Sequence, residues 1–363
     1  MASTWGEKVK ISIFGESHSD GIGVVIEGLP AGEKIDINQV LLQMKRRAPG
    51  RDKSATTRKE ADAPNILSGF AQGKTEGSAL CAVIGNTNTR SQDYNNVLNS
   101  PRPGHSDYTA YIKYKASNDI RGGGHFSGRL TAPLVFAGAV ARQILENKGI
   151  TIAAHAYKIA GIKDETLDPV NVTKEQLDTL NKQYFSVISL KAKEEMAEKI
   201  EQARLNQDSV GGVIECAVIG LPVGLGDPMF GGVESKLASI LYGIPAVKAV
   251  EFGCGFACAN MYGSENNDEF YYNENAEVKT YTNNCGGILG GITNSMPLML
   301  KVAVKPTPSI SKEQKTVDLV NKTNTQLVIK GRHDPCIVPR AIPVVESAVA
   351  IALLDMLSLN GGI

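Results

Sequence analysis

The sequence predicts a mixed α/β protein, and three observations carry that prediction. Segments that alternate apolar and polar side chains, the period of a half-buried strand, are interleaved along the chain with segments whose apolar residues recur at helical spacing. Hydrophobic residues make up 42% of the 363, enough to bury a large core as one domain or two smaller ones. The stretch 131–148, mostly Ala, Leu and Val, reads as a helix buried in such a core.

Taken in order, Val9, Ile11 and Ile13 alternate with polar neighbours and predict a strand over 9–14, followed by a turn at Gly15-Glu16-Ser17-His18 and a second strand over 24–27. Ile37, Val40, Leu41 and Met44 share one helical face behind the capping residue Asp36, so a helix delivers Lys45, Arg46 and Arg47 at its C-terminal end. The helix over 131–148 accepts Pro133 in its first turn and stops at Gly149. Residues 172–207 are polar, mix both charge signs and predict solvent-facing helices that form an excursion from the core. Beyond them, 213–219 and 298–304 read as strands, 233–242 as a helix and 343–357 as a closing helix. Gly28-Leu29-Pro30-Ala31-Gly32 is echoed by Gly220-Leu221-Pro222-Val223-Gly224, each after a strand, which suggests two related halves; on five residues, chance is the better explanation.

The 38 basic and 38 acidic residues cancel, and the pI is near 7.0. That balance argues against a general nucleic-acid or membrane-surface binder, so any site for an anion has to be local. No apolar run approaches the roughly 20 residues needed to cross a bilayer, and the start lacks the apolar stretch of a signal peptide. The expectation is a cytoplasmic protein, its six scattered cysteines reduced.

Between positions 45 and 59, Lys45, Arg46, Arg47, Arg51, Lys53, Arg58 and Lys59 face only Asp52. So concentrated a charge suits an anionic ligand, although a solvated surface face accounts for it as well. Glycines at Gly50, in Arg121-Gly122-Gly123-Gly124, at Gly286-Gly287 and at Gly290-Gly291 offer backbone N–H groups that a phosphate can approach. None has the spacing of a P-loop or a dinucleotide fingerprint. His18, His105 and His333 fall in polar segments where loops are expected and an imidazole can move protons, whereas His155, on an apolar strand, reads as structural. In Gly331-Arg332-His333-Asp334-Pro335 an arginine near a carboxylate suits an anion clamp or a salt-bridged turn. Cys254 and Cys258 lack a second ligand pair, so no metal is expected. Ser17 and His18, as neighbours on an extended segment, should point opposite ways and not form a nucleophile–base pair.

Five blocks, in order along nearly the whole chain, together resemble chorismate synthase: Gly15-Glu16-Ser17-His18; Arg90-Ser91-Gln92-Asp93-Tyr94; Arg102-Pro103-Gly104-His105; Gly122-Gly123-Gly124 with Ser127-Gly128-Arg129; and Gly331-Arg332-His333-Asp334-Pro335-Cys336. The resemblance implies one large domain over 1–363, an α/β sandwich with helices packed between antiparallel sheets. It implies a lyase that converts 5-enolpyruvylshikimate-3-phosphate to chorismate and phosphate by anti-1,4-elimination, using reduced FMN without net redox change. It further implies a homotetramer, and flavin reduced by an external reductant is the expectation because no nicotinamide fingerprint is recognisable.

By the same resemblance, Ser17, Arg47, Arg102, Arg129 and Arg332 hold the substrate's anionic groups, with Lys53 standing where the family usually has arginine. His18 serves the departing phosphate, His105 lies by the flavin ring, and Asp334 accepts a flavin proton. Flavin binding falls to His125, Phe126, Ser127, Gly128, Ala246, Gly290, Lys305, Pro306, Thr307, Pro308, Ser309 and Arg332. The sequence departs from the commonest family pattern at His125-Phe126, Leu130 and Ser19. On residue chemistry alone, a non-catalytic flavin or phosphometabolite-binding module and a phosphate-ester hydrolase remain open.

Overall fold

Two five-stranded antiparallel sheets enclose a layer of helices in the computed structural model, which describes residues 3–50, 62–87, 99–329 and 333–361. The first sheet contains β1 (Thr4–Trp5), β2 (Lys10–Gly15), β3 (Gly21–Glu27), β4 (Pro64–Ser68) and β5 (Leu80–Gly85), in the spatial order β1-β2-β3-β5-β4. The second contains β6 (Thr151–Ile159), β7 (Ile162–Lys163), β8 (Gly212–Ile219), β9 (Val247–Phe252) and β10 (Leu298–Val304), in the order β9-β10-β8-β6-β7. The helices are α1 (Ile37–Arg47), α2 (Asp107–Lys113), α3 (Thr131–Glu146), α4 (Lys174–Asn181), α5 (Leu190–Leu205), α6 (Val233–Leu241), α7 (Gly263–Asn266) and α8 (Val338–Leu359).

The middle layer is α3 and α8, packed on one another, with α3 against β3 and β5 and α8 against β6 and β8. Both are apolar all round because both sides are covered. Their close approach depends on Gly138, where a β-carbon would stand 2.1 Å from that of Ser347. The polar stretch after β7 carries α4, closed by a Thr173–Gln176 capping box, and α5, capped by Ser189. His155 is buried between Asp164 and Glu215, as a structural histidine should be, and all six cysteines are free.

Three expectations need correcting. The closing helix starts at Val338 rather than 343, because Pro339 occupies the first turn and Pro343 is tolerated inside the helix. That helix is 22 residues long with a mean hydropathy of 1.9 in its most apolar window, so one run is long and apolar enough to cross a membrane. In this fold 89% of that window is buried, and its two acids are fully engaged: Glu346 accepts from Arg46 and the Ala154 N–H, Asp355 from the N–H groups of Glu7, Lys8 and Val9. The third correction concerns the five-residue echo, which marks a structural repeat.

Each half contains, in order, strand, strand, Gly-Leu-Pro-x-Gly, helix, strand, short hairpin, strand and long buried helix, the second half with further elements inserted at residues 162–205, 255–280 and 314–327. The matching strands take the same order, β2-β3-β5-β4 and β6-β8-β10-β9. The repeat extends to single bonds: Thr75 Oγ1 donates to the Pro30 carbonyl at 2.5 Å and Thr293 Oγ1 to that of Pro222 at 2.6 Å. Gly32 N–H bonds the Thr75 carbonyl at 2.8 Å, and Gly224 N–H that of Thr293 at 3.0 Å.

Candidate active site

A cavity of about 940 Å³ opens beside the first sheet, walled by the ends of α1 and α8, the 102–106 loop, the glycine-rich turn before α3 and the 305–309 strand extension. Chain segments from both halves meet there. Arg47, delivered by the end of α1 as its sequence predicts, is 1% exposed and donates to Asp62 Oδ2 at 2.6 Å. Asp62 also bonds Arg129, which reaches Asn86 Oδ1 at 2.9 Å and the Gly85 carbonyl at 3.2 Å. One buried carboxylate thus serves two guanidiniums and leaves an excess positive charge for a ligand. Burial pushes Arg47 down to about 9, opposed by Asp62 and Asp334 and assisted by the like charges of Arg340 and Arg129. A cation held so unfavourably gains most from an incoming anion.

Asp107, at the start of α2, organises a second cluster. Arg102 forks onto it, Nε to Oδ2 at 2.7 Å and Nη2 to Oδ1 at 2.8 Å, and His105 Nδ1 lies 2.6 Å from Oδ1. Burial opposes ionisation of Asp107, yet Arg102 and His105 hold its carboxyl well below the usual carboxylate range. The carboxylate therefore accepts a hydrogen bond from the Nδ1–H of His105 and orients the ring with Nε2 beside Gly123. Arg102 Nη1 extends to Ser309 Oγ at 3.2 Å, linking this loop to the 305–309 segment.

Gly122, Gly123 and Gly124 have φ of 60°, 87° and 54°, a left-handed run that side chains would strain. They are wedged between the two histidines, Gly122 against His18 and Gly123 against His105. His18 is buried behind this wall, and Ser17, which lines the cavity, has its Oγ 3.2 Å from His18 Nδ1. That overturns the expectation that these neighbours point apart: they occupy a turn, not an extended segment. Asp119 stands near His18; burial works against its charge, but Arg121 and His18 keep it lowered. Glu16 is raised by burial and by Asp119.

Of the other residues named from the sequence, His125, Phe126, Ser127, Gly128, Ala246, Lys305, Thr307, Pro308, Ser309 and Asp334 line the cavity, as does His333. His125 is held by the Gly15 carbonyl at 2.8 Å and Ser3 Oγ at 2.7 Å. Lys305 Nζ donates to the Gly104 carbonyl. Pro306 is not brought to the wall and packs instead on Gly211. Gly290 is not brought there either: it sits at the exposed tip of the Ile288–Leu289 and Ile292–Thr293 hairpin, where its φ of 61° serves the turn. Lys53, Arg332 and the block 90–94 lie outside the described residues. Sequence reasoning missed Asp62, Asp107 and Arg340. The first two pair with distant or locally folded arginines and carry no motif, while Arg340 stood six residues beyond the named Asp334.

The family model described as chorismate synthase matches residues 9–358. Chorismate synthases of Dehalococcoides mccartyi and Methanocaldococcus jannaschii are 44% and 42% identical to this chain, covering 100% of it and 98% and 97% of their own lengths. A solved structure described as a crystal structure of chorismate synthase has a TM-score of 0.77 to it at 27% identity, covering 98% of this chain and 93% of its own. Because these matches run from the first long strand almost to the last residue of α8 and share the two-sheet architecture, the chain belongs to the chorismate synthase family.

Proposed function

We propose that the chain converts 5-enolpyruvylshikimate-3-phosphate to chorismate and inorganic phosphate by anti-1,4-elimination with reduced FMN and no net redox change. This is the last step common to the aromatic amino acids. In that reaction the carbon–oxygen bond to phosphate breaks, a ring proton leaves and a second ring double bond forms. The observation that carries the reading is the convergence of Arg47, Arg102, Arg129, Lys305 and His105, from both halves of the chain, on one cavity.

The residues suit the flavin. Thr307 Oγ1 is buried without a hydrogen-bond partner among the described residues, in a wall that also presents Lys305 and Ser309. Such donors match a phosphate and ring carbonyls. Ser127, Gly128, Ala246, Lys305, Thr307 and Ser309 would hold the cofactor, with Arg332. Reduced FMN, when bound there, would supply electron density that eases phosphate departure without net redox change.

Arg47 and Arg129, with Lys53 and Arg332, hold the substrate's anionic groups, and Ser17 bonds the same region. His18, whose Nδ1 meets the Oγ of the cavity-lining Ser17, is the proton source for the departing phosphate oxygen. His105, with Nδ1 engaged by Asp107, offers Nε2, and Asp334 takes up a proton through a carboxylate oxygen. The family resemblance supports a cytoplasmic homotetramer that receives flavin reduced elsewhere, with residues 1–363 acting as one catalytic domain.

The test is an anaerobic assay run with and without reduced FMN. Phosphate and chorismate are expected in equal amounts, and only with the flavin. Equal phosphate release in both tubes would instead identify a phosphate-ester hydrolase.

A further inference from the structure

We infer that Arg340 is a positioning residue of this site, whose guanidinium fixes the Asp334 carboxylate in the cavity wall. Asp334 lies just before α8 and Arg340 in its first turn, and both line the cavity. Arg340 Nη1 spans the two carboxylate oxygens, 3.2 Å from Oδ1 and 3.0 Å from Oδ2. The side chains are only 15% and 16% exposed, so this is not a solvated surface pair of negligible worth.

Two further observations argue that the arginine serves the site rather than the helix. A cation in the first turn of α8 faces the positive end of the helix dipole, and that turn contains no acid of its own. Helix stability therefore gives no reason for an arginine there. In addition, the buried Arg47 of α1 feels both the repulsion of Arg340 and the attraction of Asp334. Asp334 thus bonds the guanidinium of Arg340 and stands near enough to that of Arg47 for its charge to act there. Behind Arg47 stand Asp62 and Arg129. By engaging Asp334, Arg340 prevents that carboxylate from turning to Arg47 and taking up the charge reserved for the ligand.

The inference rests on the reading that Asp334 takes up a proton during turnover, and its test separates the two. Arg340→Gln, Arg340→Lys, Asp334→Asn and the double variant Asp334→Asn with Arg340→Gln are assayed with substrate and reduced FMN. Arg340→Gln should lower kcat about 10- to 100-fold, the scale of a misplaced reacting group, and change KM much less. Arg340→Lys should recover part of the loss. In the Asp334→Asn background, Arg340→Gln should cost no further kcat, because nothing remains to be positioned.

A second readout needs no turnover. The infrared difference between wild type and Asp334→Asn isolates the carboxylate stretch of Asp334, which should shift in Arg340→Gln and return toward the native position in Arg340→Lys. Additive losses in the double variant, or an unmoved carboxylate band, would overturn the inference. Full turnover by Asp334→Asn would remove the proton role of Asp334, and the infrared band alone would then decide whether Arg340 fixes it.

Discussion

A β-carbon added to Gly122 would stand 2.4 Å from Cε1 of His18, so the backbone of the glycine turn fills the space beside that imidazole. Gly122→Ala must therefore displace the ring or the turn, and the residue's φ of 60° adds about 1–2 kcal/mol of strain. Turnover is expected to fall about 100-fold while the protein stays folded. Gly32→Ala is the control, since its φ of 85° imposes similar strain with no atom within 4 Å of the added carbon. Normal kcat in Gly122→Ala would show that this contact does not hold His18.

His18→Ala and His105→Ala should each slow turnover by roughly 10²-fold or more, the scale of a lost acid–base group. Single-turnover phosphate release measures it. A variant that keeps the full rate strikes its histidine from the mechanism.

Asp62 and Arg47 should separate stability from binding. Asp62→Asn leaves two buried guanidiniums without their shared carboxylate, and breaking such a pair costs about 3–5 kcal/mol. Arg47→Ala leaves the Asp62–Arg129 pair intact but removes a charged hydrogen bond worth about 1.5–3 kcal/mol to the anion. Urea midpoints should fall more for Asp62→Asn, and KM should rise more for Arg47→Ala. The reverse ranking would refute the assignment of Asp62 as a buttress.

The buried His155 between Asp164 and Glu215 makes stability depend on pH from both sides. Burial resists its charge, but the two carboxylates raise its pKa above 6.5, so the folded state binds the extra proton. Its contribution is fully present below 6.5 and is lost as pH rises through the raised value. Asp164 and Glu215 are held down despite burial, from 3.8 and 4.5, chiefly by His155, so theirs is present above those values and lost as pH falls through the lowered ones. Urea midpoints should decline at both ends, and His155→Gln should abolish the decline above 6.5. A His155→Gln profile parallel to wild type would contradict the network.

Trp5, the single tryptophan of the chain, lines the cavity and donates from Nε1 to Ser239 Oγ at 2.7 Å. Its fluorescence should be quenched as FMN enters, and Trp5→Phe should abolish the signal. Unchanged emission at a flavin concentration that saturates turnover would place the cofactor elsewhere.

What the chain determines locally was legible. Alternation at Val9, Ile11 and Ile13 marked the strand Lys10–Gly15, and Asp36 with a one-sided apolar stripe marked the helix that presents Arg47. The order of five separated blocks was enough to indicate the family, and with it Arg47, Arg102, His105, Arg129 and Asp334 in the cavity wall. Proline misled the reading of α8, because Pro343 resembles a first-turn residue until Pro339 is seen to hold that place. Partnerships were beyond reach of any linear pattern. Asp62 joins Arg47 to Arg129, a turn folds Ser17 onto His18, and Gly290 leaves the cavity for a hairpin tip, all settled by how strands pair and helices cross. The sequence by itself determined the strands and helices whose apolar period is strong, and which residue types the chemistry needs, since short-range periodicity and residue chemistry are written along the chain. Only the tertiary structure decided which charges face one another, because electrostatic pairing acts through space between groups whose separation in sequence carries no signal.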